Sequence, residues 1–123
     1  MKASKKILLV DDSATTLFME KMLLDRGPFE LITANNGEEA VRKALAEHPD
    51  LILLDVVMPR MDGFQACRAL RADEDTARIP IIMVTTRGDE SHMETGFAAG
   101  CNDYVTKPID ATELLSKIRS FLG

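Results

Sequence analysis

Short apolar segments alternate with longer segments of helical character along this chain of 123 residues. Four apolar segments are continuous rather than alternating, namely residues 7–10, 51–54, 79–84 and 104–105. Such segments are typical of strands buried on both faces, which a parallel sheet covered by helices requires. A fifth segment, residues 29–34, contains Glu30 and Thr33, as expected for an edge strand.

The intervening segments have the features of helices. Residues 13–26 contain no glycine or proline, and residues 36–47 carry acidic side chains in their first turn. Residues 62–72 and 90–99 are long enough for helices, and the last segment has its apolar residues on one helical stripe: Leu114, Leu115, Ile118, Phe121 and Leu122. Strand and helix therefore alternate five times. This pattern predicts one α/β domain over residues 1–123, with a mostly parallel five-stranded sheet and right-handed crossovers.

Composition and charge narrow the functional classes. The formal net charge of −5, the absence of a basic stretch and only six aromatic residues argue against direct binding of nucleic acid. No apolar run approaches the roughly 20 residues of a membrane span, and no signal peptide is recognisable. Cys67 and Cys101 are far apart, so two reduced thiols are expected rather than a disulfide or two metal ligands. We therefore expect a cytoplasmic protein without membrane insertion.

Polar residues follow the predicted strands at the points where these end. Asp11 and Asp12 follow the first strand, Asp55 the third, Thr85 the fourth and Lys107 the fifth. The carboxyl ends of parallel strands lie along one edge of a sheet, where ligands bind. If strands 1 and 3 are neighbours, the three aspartates converge and repel one another unless a cation lies among them. Oxygen ligands alone favour Mg²⁺ over a transition metal.

Each of these residues also has a purely structural interpretation. Asp12 could cap a helix, Asp55 could open a loop, Thr85 could satisfy a strand end and Lys107 could lie in a surface turn. Together, however, they provide a metal site, a carboxylate nucleophile, a hydroxyl group and a fixed cation. These are the components that phosphoryl transfer to a carboxylate requires.

Four stretches carry a resemblance to a known family: ILLVDDS at 7–13, PDLILLDVVMPRMDG at 49–63, IPIIMVTT at 79–86 and GCNDYVTKPI at 100–109. They resemble the receiver domain of bacterial two-component response regulators, and the likeness extends over residues 6–122. The resemblance implies a flavodoxin-like, doubly wound parallel sheet of strand order 2-1-3-4-5, with helices on both faces.

The resemblance also implies roles for the site residues. Asp55 would accept a phosphoryl group from a phosphohistidine on a sensor histidine kinase or a histidine phosphotransfer protein. Asp11, partly through water, would hold Mg²⁺ together with Asp12, Asp55 and the backbone carbonyl of Val57. Lys107 would pair with the phosphoryl oxygens, and the bond between Lys107 and Pro108 would be cis.

Thr85 and Tyr104 would form the switch. Thr85 would turn its hydroxyl towards the phosphoryl group, and Tyr104 would turn inwards into the space vacated. This change would remodel the surface of helix 4, strand 5 and helix 5, where a downstream effector protein docks. Phosphorylation adds about one negative charge and several acceptor oxygens, which attract a nearby donor and cation.

Some positions depart from the commonest family pattern. Thr86 occupies a position usually held by alanine or glycine, and we expect it to slow small phosphodonors. Val57 and Arg87 lie at positions that tune the lifetime of the phosphoryl group. Because Val57 cannot orient an attacking water, we expect a lifetime that is not among the shortest.

The first helix has more apolar residues than a core-facing stripe needs: Leu17, Phe18, Met19, Met22, Leu23 and Leu24. In the family this helix docks against the phosphodonor, which suits such an excess. A broad core face with scattered apolar residues on the surface is the alternative.

The expected protein is a phosphorylation-switched binding module of the chemotaxis kind, a monomer or weak dimer. It is not an enzyme, beyond catalysing its own phosphorylation and dephosphorylation. Three alternatives stay open, namely a phosphorelay intermediate, a receiver excised from a longer regulator and a pseudo-receiver scaffold that is never phosphorylated. A phosphohydrolase of the haloacid dehalogenase type is disfavoured, because its second aspartate is replaced by Val57.

Overall fold

A five-stranded parallel sheet forms the centre of the computed structural model, which describes residues 4–25, 27–86 and 89–123. Arg87 lies outside the described residues. The strands are β1 (Lys5–Val10), β2 (Phe29–Ala34), β3 (Leu51–Asp55), β4 (Ile81–Thr86) and β5 (Asp103–Lys107). The helices are α1 (Ala14–Leu24), α2 (Gly37–Glu47), α3 (Gly63–Ala72), α4 (Glu90–Ala99) and α5 (Ala111–Leu122). The strand order is β2-β1-β3-β4-β5, which confirms the predicted doubly wound fold.

The sheet is covered on both faces because consecutive residues of its central strands are apolar, in the runs 7–10, 51–54 and 81–84. Alternate residues of each strand point to opposite faces. Leu8, Ile52 and Met83 belong to the apolar core beneath α2, α3 and α4, whereas Leu9, Leu53 and Val84 belong to the core beneath α1 and α5. Burial on both sides explains why these segments are continuous runs rather than alternating ones.

Polar side chains cap four of the helices at their amino ends. Ser13 accepts a hydrogen bond from the backbone of Thr16 at the start of α1, and Asn36 and Asp110 cap α2 and α5 in the same way. Asp62 forms a reciprocal capping box with Gln65 at the start of α3. The predicted helical segments began at Ser13, Asn36 and Asp62. Because these residues are caps, α1, α2 and α3 each begin one residue later.

Several strand limits differ from those of the apolar segments, because β1, β3, β4 and β5 all include polar residues at their ends. β4 begins at Ile81 rather than at residue 79, because Pro80 has no N–H group to donate to the sheet. β5 extends beyond its two apolar residues to Lys107, whose partner in the register is Thr86. The extension fixes Lys107 at the carboxyl edge of the sheet.

The structure shows which apolar residues of α1 face outwards. Phe18, Met19 and Met22 are 63%, 58% and 60% exposed, whereas Leu24 is buried and Leu17 packs against the core. Cys67 and Cys101 are both buried as free thiols, as expected. Among the described helices, none is long and apolar enough to cross a membrane.

Candidate functional site: a carboxylate cluster at the sheet edge

The pairing register brings the polar residues together at the carboxyl edge of the sheet. Val10 pairs with Leu54, so the residues that follow them, Asp11 and Asp55, emerge side by side. Asp55 in turn pairs with Val84, which precedes Thr85. The arrangement places residues from four strand ends around one crevice, at the point where the strand order reverses.

Three carboxylates form a close cluster in this crevice. Asp11 and Asp55 are buried and Asp12 is exposed, and one oxygen from each lies within 4.8 Å of the other two. Asp11 Oδ1 accepts a hydrogen bond of 2.9 Å from the backbone N–H of Ser13, which holds this carboxylate at the start of α1. The cluster therefore consists of two buried carboxylates, Asp11 and Asp55, and one carboxylate, Asp12, that is exposed to solvent.

Lys107 provides the positive charge of the crevice. Its ammonium nitrogen lies 3.2 Å from Asp55 Oδ1 and 3.4 Å from Asp11 Oδ2, so one cation is shared by two buried carboxylates. The peptide bond that follows it, Lys107-Pro108, is cis, as predicted. The ammonium group thus lies directly beside the carboxylate that was predicted to be the nucleophile.

The electrostatic balance of the crevice is negative. Burial and the neighbouring charge of Asp11 raise the pKa of Asp55 to about 6, although Lys107 acts in the opposite direction. Burial lowers the pKa of Lys107, but attraction to Asp55 and Asp11 outweighs it and the net shift is upwards. A single ammonium group therefore does not compensate the carboxylates around it.

Gly63 allows the loop after β3 to approach Asp55. A Cβ atom at this position would lie 2.3 Å from the backbone oxygen of Asp55 and 2.9 Å from Cα of Val56. Real side chains do not tolerate such distances, so only glycine fits here. The backbone N–H of Gly63 donates to the carbonyl of Val56 at 2.8 Å, which fixes the loop beside the nucleophile.

Thr85 and Tyr104 are the residues predicted to form the switch. Thr85 is 2% exposed, and its hydroxyl oxygen has no hydrogen-bond partner among the described residues. Tyr104 is half-buried, with its ring edge-on to Phe97 at 5.9 Å and beneath the ammonium group of Lys117 at 4.9 Å. A buried hydroxyl without a partner is available for a new acceptor in the crevice.

Comparison with known proteins identifies the family. The chain matches the response regulator receiver domain over residues 7–119. This chain belongs to the response regulator receiver family. It is 41% identical over 118 residues to Protein PilH of Pseudomonas aeruginosa, and the match covers 96% of this chain and 98% of PilH. Other curated relatives are longer, and the chain spans 47–49% of their length.

Solved structures agree with this assignment. A putative response regulator from Chloroflexus aurantiacus has a TM-score of 0.94 and 35% identity, over 97% of this chain and 98% of that one. The receiver domain of the sensor histidine kinase PA1611 from Pseudomonas aeruginosa has a TM-score of 0.91 and 33% identity, over 98% and 99% of the two chains. The latter structure has a magnesium ion coordinated in its active site cleft. The predicted receiver domain and its signalling role are thus confirmed.

The cluster of this receiver fits a divalent metal ion. Its donors are carboxylate oxygens from Asp11, Asp12 and Asp55, and their spacing allows one ion to contact all three. Oxygen donors with an exposed member, which leaves room for water, suit Mg²⁺. Burial and the charge of Asp11 raise the pKa of Asp55, and a bound cation would act in the opposite direction.

One residue near the crevice of this receiver was not predicted from the sequence. Glu20 lies on α1 and is 1% exposed, and neither of its carboxylate oxygens has a hydrogen-bond partner in the part of the chain that the structure describes. Burial, with the charges of Asp11 and Asp55, raises the pKa of Glu20 to about 8, although Lys107 acts in the opposite direction. Spacing could have revealed it, since Glu20 lies three residues after Leu17 and four before Leu24, on the buried stripe of α1.

Proposed function

We propose that Asp55 is the phosphoacceptor of this receiver and that a phosphohistidine is the donor. The observation that carries the proposal is the position of Asp55, a buried carboxylate 3.2 Å from the ammonium group of Lys107 and clustered with Asp11 and Asp12. A positioned nucleophile, a fixed cation and a metal cluster are what phosphoryl transfer requires.

In the proposed reaction, a carboxylate oxygen of Asp55 attacks the phosphorus atom as the phosphorus–nitrogen bond to the histidine breaks. The electron pair of that bond stays on the imidazole nitrogen of the donor, which is a sensor histidine kinase or a histidine phosphotransfer protein. The ammonium group of Lys107 loses one carboxylate partner and pairs with the phosphoryl oxygens instead. Burial of Asp55 keeps bulk water away from the reacting atoms.

We propose that Asp11, Asp12 and Asp55, with the backbone carbonyl of Val57, hold Mg²⁺. The ion, when bound, stabilises negative charge on the phosphoryl oxygens during transfer. The chain's own contribution is to fix the ligands, since Asp11 is anchored by Ser13 and the loop after Asp55 by Gly63.

Thr85 and Tyr104 form the proposed switch. The unpartnered hydroxyl of Thr85 gains an acceptor when phosphoryl oxygens appear at Asp55, and its movement frees space for the half-buried ring of Tyr104. The surface of α4, β5 and α5 then changes, which alters its binding to a downstream effector protein.

We further propose that residues 1–123 act as one receiver domain. This domain is a monomer or weak dimer in the cytoplasm and makes no direct contact with nucleic acid.

The test is intact-mass spectrometry after incubation with Mg²⁺ and acetyl phosphate. Wild type is expected to gain one phosphoryl group, and Asp55→Asn is expected to gain none. Asp75→Asn, a control at an exposed acidic residue, is expected to gain one phosphoryl group as wild type does. Because Thr86 is expected to hinder small donors, the test includes a phosphorylated histidine phosphotransfer protein. No gain with either donor would overturn the proposal and favour the pseudo-receiver scaffold.

A further inference from the structure

Glu20 has no part in the proposed transfer, yet its environment is unusual. Glu20 is 1% exposed, and neither carboxylate oxygen has a hydrogen-bond partner within residues 4–25, 27–86 and 89–123. A buried carboxyl group without partners destabilises the fold, and native structures retain few of them. An apolar residue would fill the same position on the buried stripe of α1 without that cost. Glu20 is therefore a candidate for a functional role.

Glu20 and Lys107 line the same cavity. The cavity lies between α1 and the segment after β5 and has a volume of about 200 Å³. Its lining residues are Thr16, Met19, Glu20, Leu23, Lys107, Pro108 and Ile109. Only two of these residues, Glu20 and Lys107, are ionisable, and their ionised forms have opposite charges. The cavity thus lies beside both Glu20 and Lys107, and Lys107 also contacts the carboxylates of the reaction crevice.

Charged groups on three elements act on Glu20. Asp11, after β1, and Asp55, at the end of β3, disfavour its ionisation, and Lys107, at the end of β5, favours it. With the carboxylate cluster free of metal, burial, which is the largest effect, and the two aspartates together outweigh Lys107, so the pKa of Glu20 is raised to about 8. Neutralising the aspartates would remove two of the three effects that raise this pKa and leave Lys107 acting against burial alone.

Lys107 is the group that responds to such a change. Its ammonium nitrogen is 3.4 Å from Asp11 and 3.2 Å from Asp55, and 37% of its side chain is exposed. A divalent cation on the same carboxylates would repel this ammonium group and occupy oxygens that it now contacts. Glu20 lines the same cavity as Lys107, and its carboxylate oxygens, which have no partner among the described residues, are then available as acceptors.

We propose that Glu20 is a positioning residue that receives the ammonium group of Lys107 when a metal ion occupies the aspartate cluster, and returns it when phosphoryl oxygens appear at Asp55. The inference rests on the proposed phosphoacceptor function. To pair with Lys107, the carboxylic acid of Glu20 loses its proton to solvent, and the carboxylate formed accepts hydrogen bonds from the ammonium group. Binding of the metal ion is therefore coupled to the release of a proton.

Calorimetric titration with MgCl₂ tests the coupling. Titrations at pH 7 in two buffers of different protonation enthalpy give the number of protons released per bound ion. Wild type is expected to release most of one proton. Glu20→Gln, which has the shape of the neutral acid, is expected to release almost none, because Asp55 is already largely ionised at this pH. Glu30→Gln, a control on the exposed Glu30 of β2, is expected to match wild type.

A second measurement follows the side chain itself. In NMR spectra of wild type, a nuclear Overhauser effect between the ε-methylene group of Lys107 and the γ-methylene group of Glu20 is expected to strengthen on addition of MgCl₂. This measurement needs no variant, so it decides the question even if Glu20→Gln fails to fold.

The outcomes separate the two proposals. Binding of Mg²⁺ with equal proton release from wild type and Glu20→Gln, or with no change in the Overhauser effect, would overturn the role of Glu20 and leave the phosphoacceptor function intact. If no heat of Mg²⁺ binding is observed, the metal site of the proposed function is wrong, and the role of Glu20 is wrong with it.

Discussion

The ammonium nitrogen of Lys107 lies 3.2 Å from Oδ1 of Asp55, across 52 residues of sequence and one intervening strand. The same nitrogen is 3.4 Å from Asp11 Oδ2, so the cation is shared rather than dedicated to one partner. Burial and Asp11 raise the pKa of Asp55 in spite of this contact, so the crevice holds excess negative charge that a bound metal ion would compensate.

Replacing the phosphoacceptor is expected to stabilise the metal-free protein. The pKa of Asp55 is raised from 3.8 to about 6, so the ionised form is disfavoured in the folded state. At pH 8, Asp55→Asn should increase the free energy of unfolding by about 1–3 kcal/mol. Urea denaturation in EDTA measures this, with Asp75→Asn as the control. A destabilised Asp55→Asn variant would show that the ion pair with Lys107 outweighs the repulsion.

The buried Glu20 is expected to make the stability of the metal-free protein depend on pH. The folded state keeps the proton of Glu20 up to about pH 8, whereas the unfolded chain loses it near 4.5. Between these values the folded state binds more protons, so stability falls as the pH rises, by about 1 kcal/mol per pH unit. Urea denaturation at a series of pH values in EDTA gives the slope. Glu20→Gln should lose most of it above pH 6, and equal slopes in both proteins would contradict the prediction.

Magnesium is expected to stabilise the folded receiver through the aspartate cluster. Binding to the folded state alone contributes about 1.4 kcal/mol at an ion concentration ten times the dissociation constant. Asp12→Asn removes the exposed member of the cluster and should reduce the Mg²⁺-dependent rise in Tm, with little change in the metal-free Tm. Calorimetric melting with and without MgCl₂ tests this. An undiminished rise would exclude Asp12 as a ligand.

Thr85→Val is expected to abolish the response of Tyr104 to phosphorylation without lowering the stability of the fold. Valine has the shape of threonine, and the buried hydroxyl it removes has no partner in the structure. Stability should therefore be unchanged or higher by about 1 kcal/mol. The response of the Tyr104 ring to phosphorylation, followed by NMR, should be lost. A ring that still responds in Thr85→Val would show that the hydroxyl does not couple the two sites.

Val57→Asn is expected to shorten the lifetime of the phosphoryl group. Val57 is 66% exposed beside the site, so the substitution should change stability by less than about 0.5 kcal/mol. An asparagine amide can orient a water for attack on the phosphorus atom, which a valine side chain cannot. The decay of phosphorylated protein, followed by intact mass, measures the half-life. An unchanged half-life would mean that water reaches the group by another route.

The sequence by itself determined the alternation of elements and the identity of the residues at the sheet edge. Continuous apolar strands appear directly in the sequence because both faces of the sheet are covered. Asp11, Asp55 and Thr85 were predicted for the same edge, since each directly follows an apolar segment predicted to be a strand and the parallel arrangement aligns these ends. The strand order came from the family resemblance, and the structure confirms it.

Tertiary structure alone decided which charges meet. That Lys107 is shared by Asp11 and Asp55 depends on strand order, register and the path of the chain after β5, which the spacing of residues does not contain. The burial of Glu20 depends likewise on how α1 packs against the sheet and the segment after β5. Local sequence sets backbone preferences, whereas the energy of a charge is set by the neighbours and the solvent exclusion that the assembled fold provides.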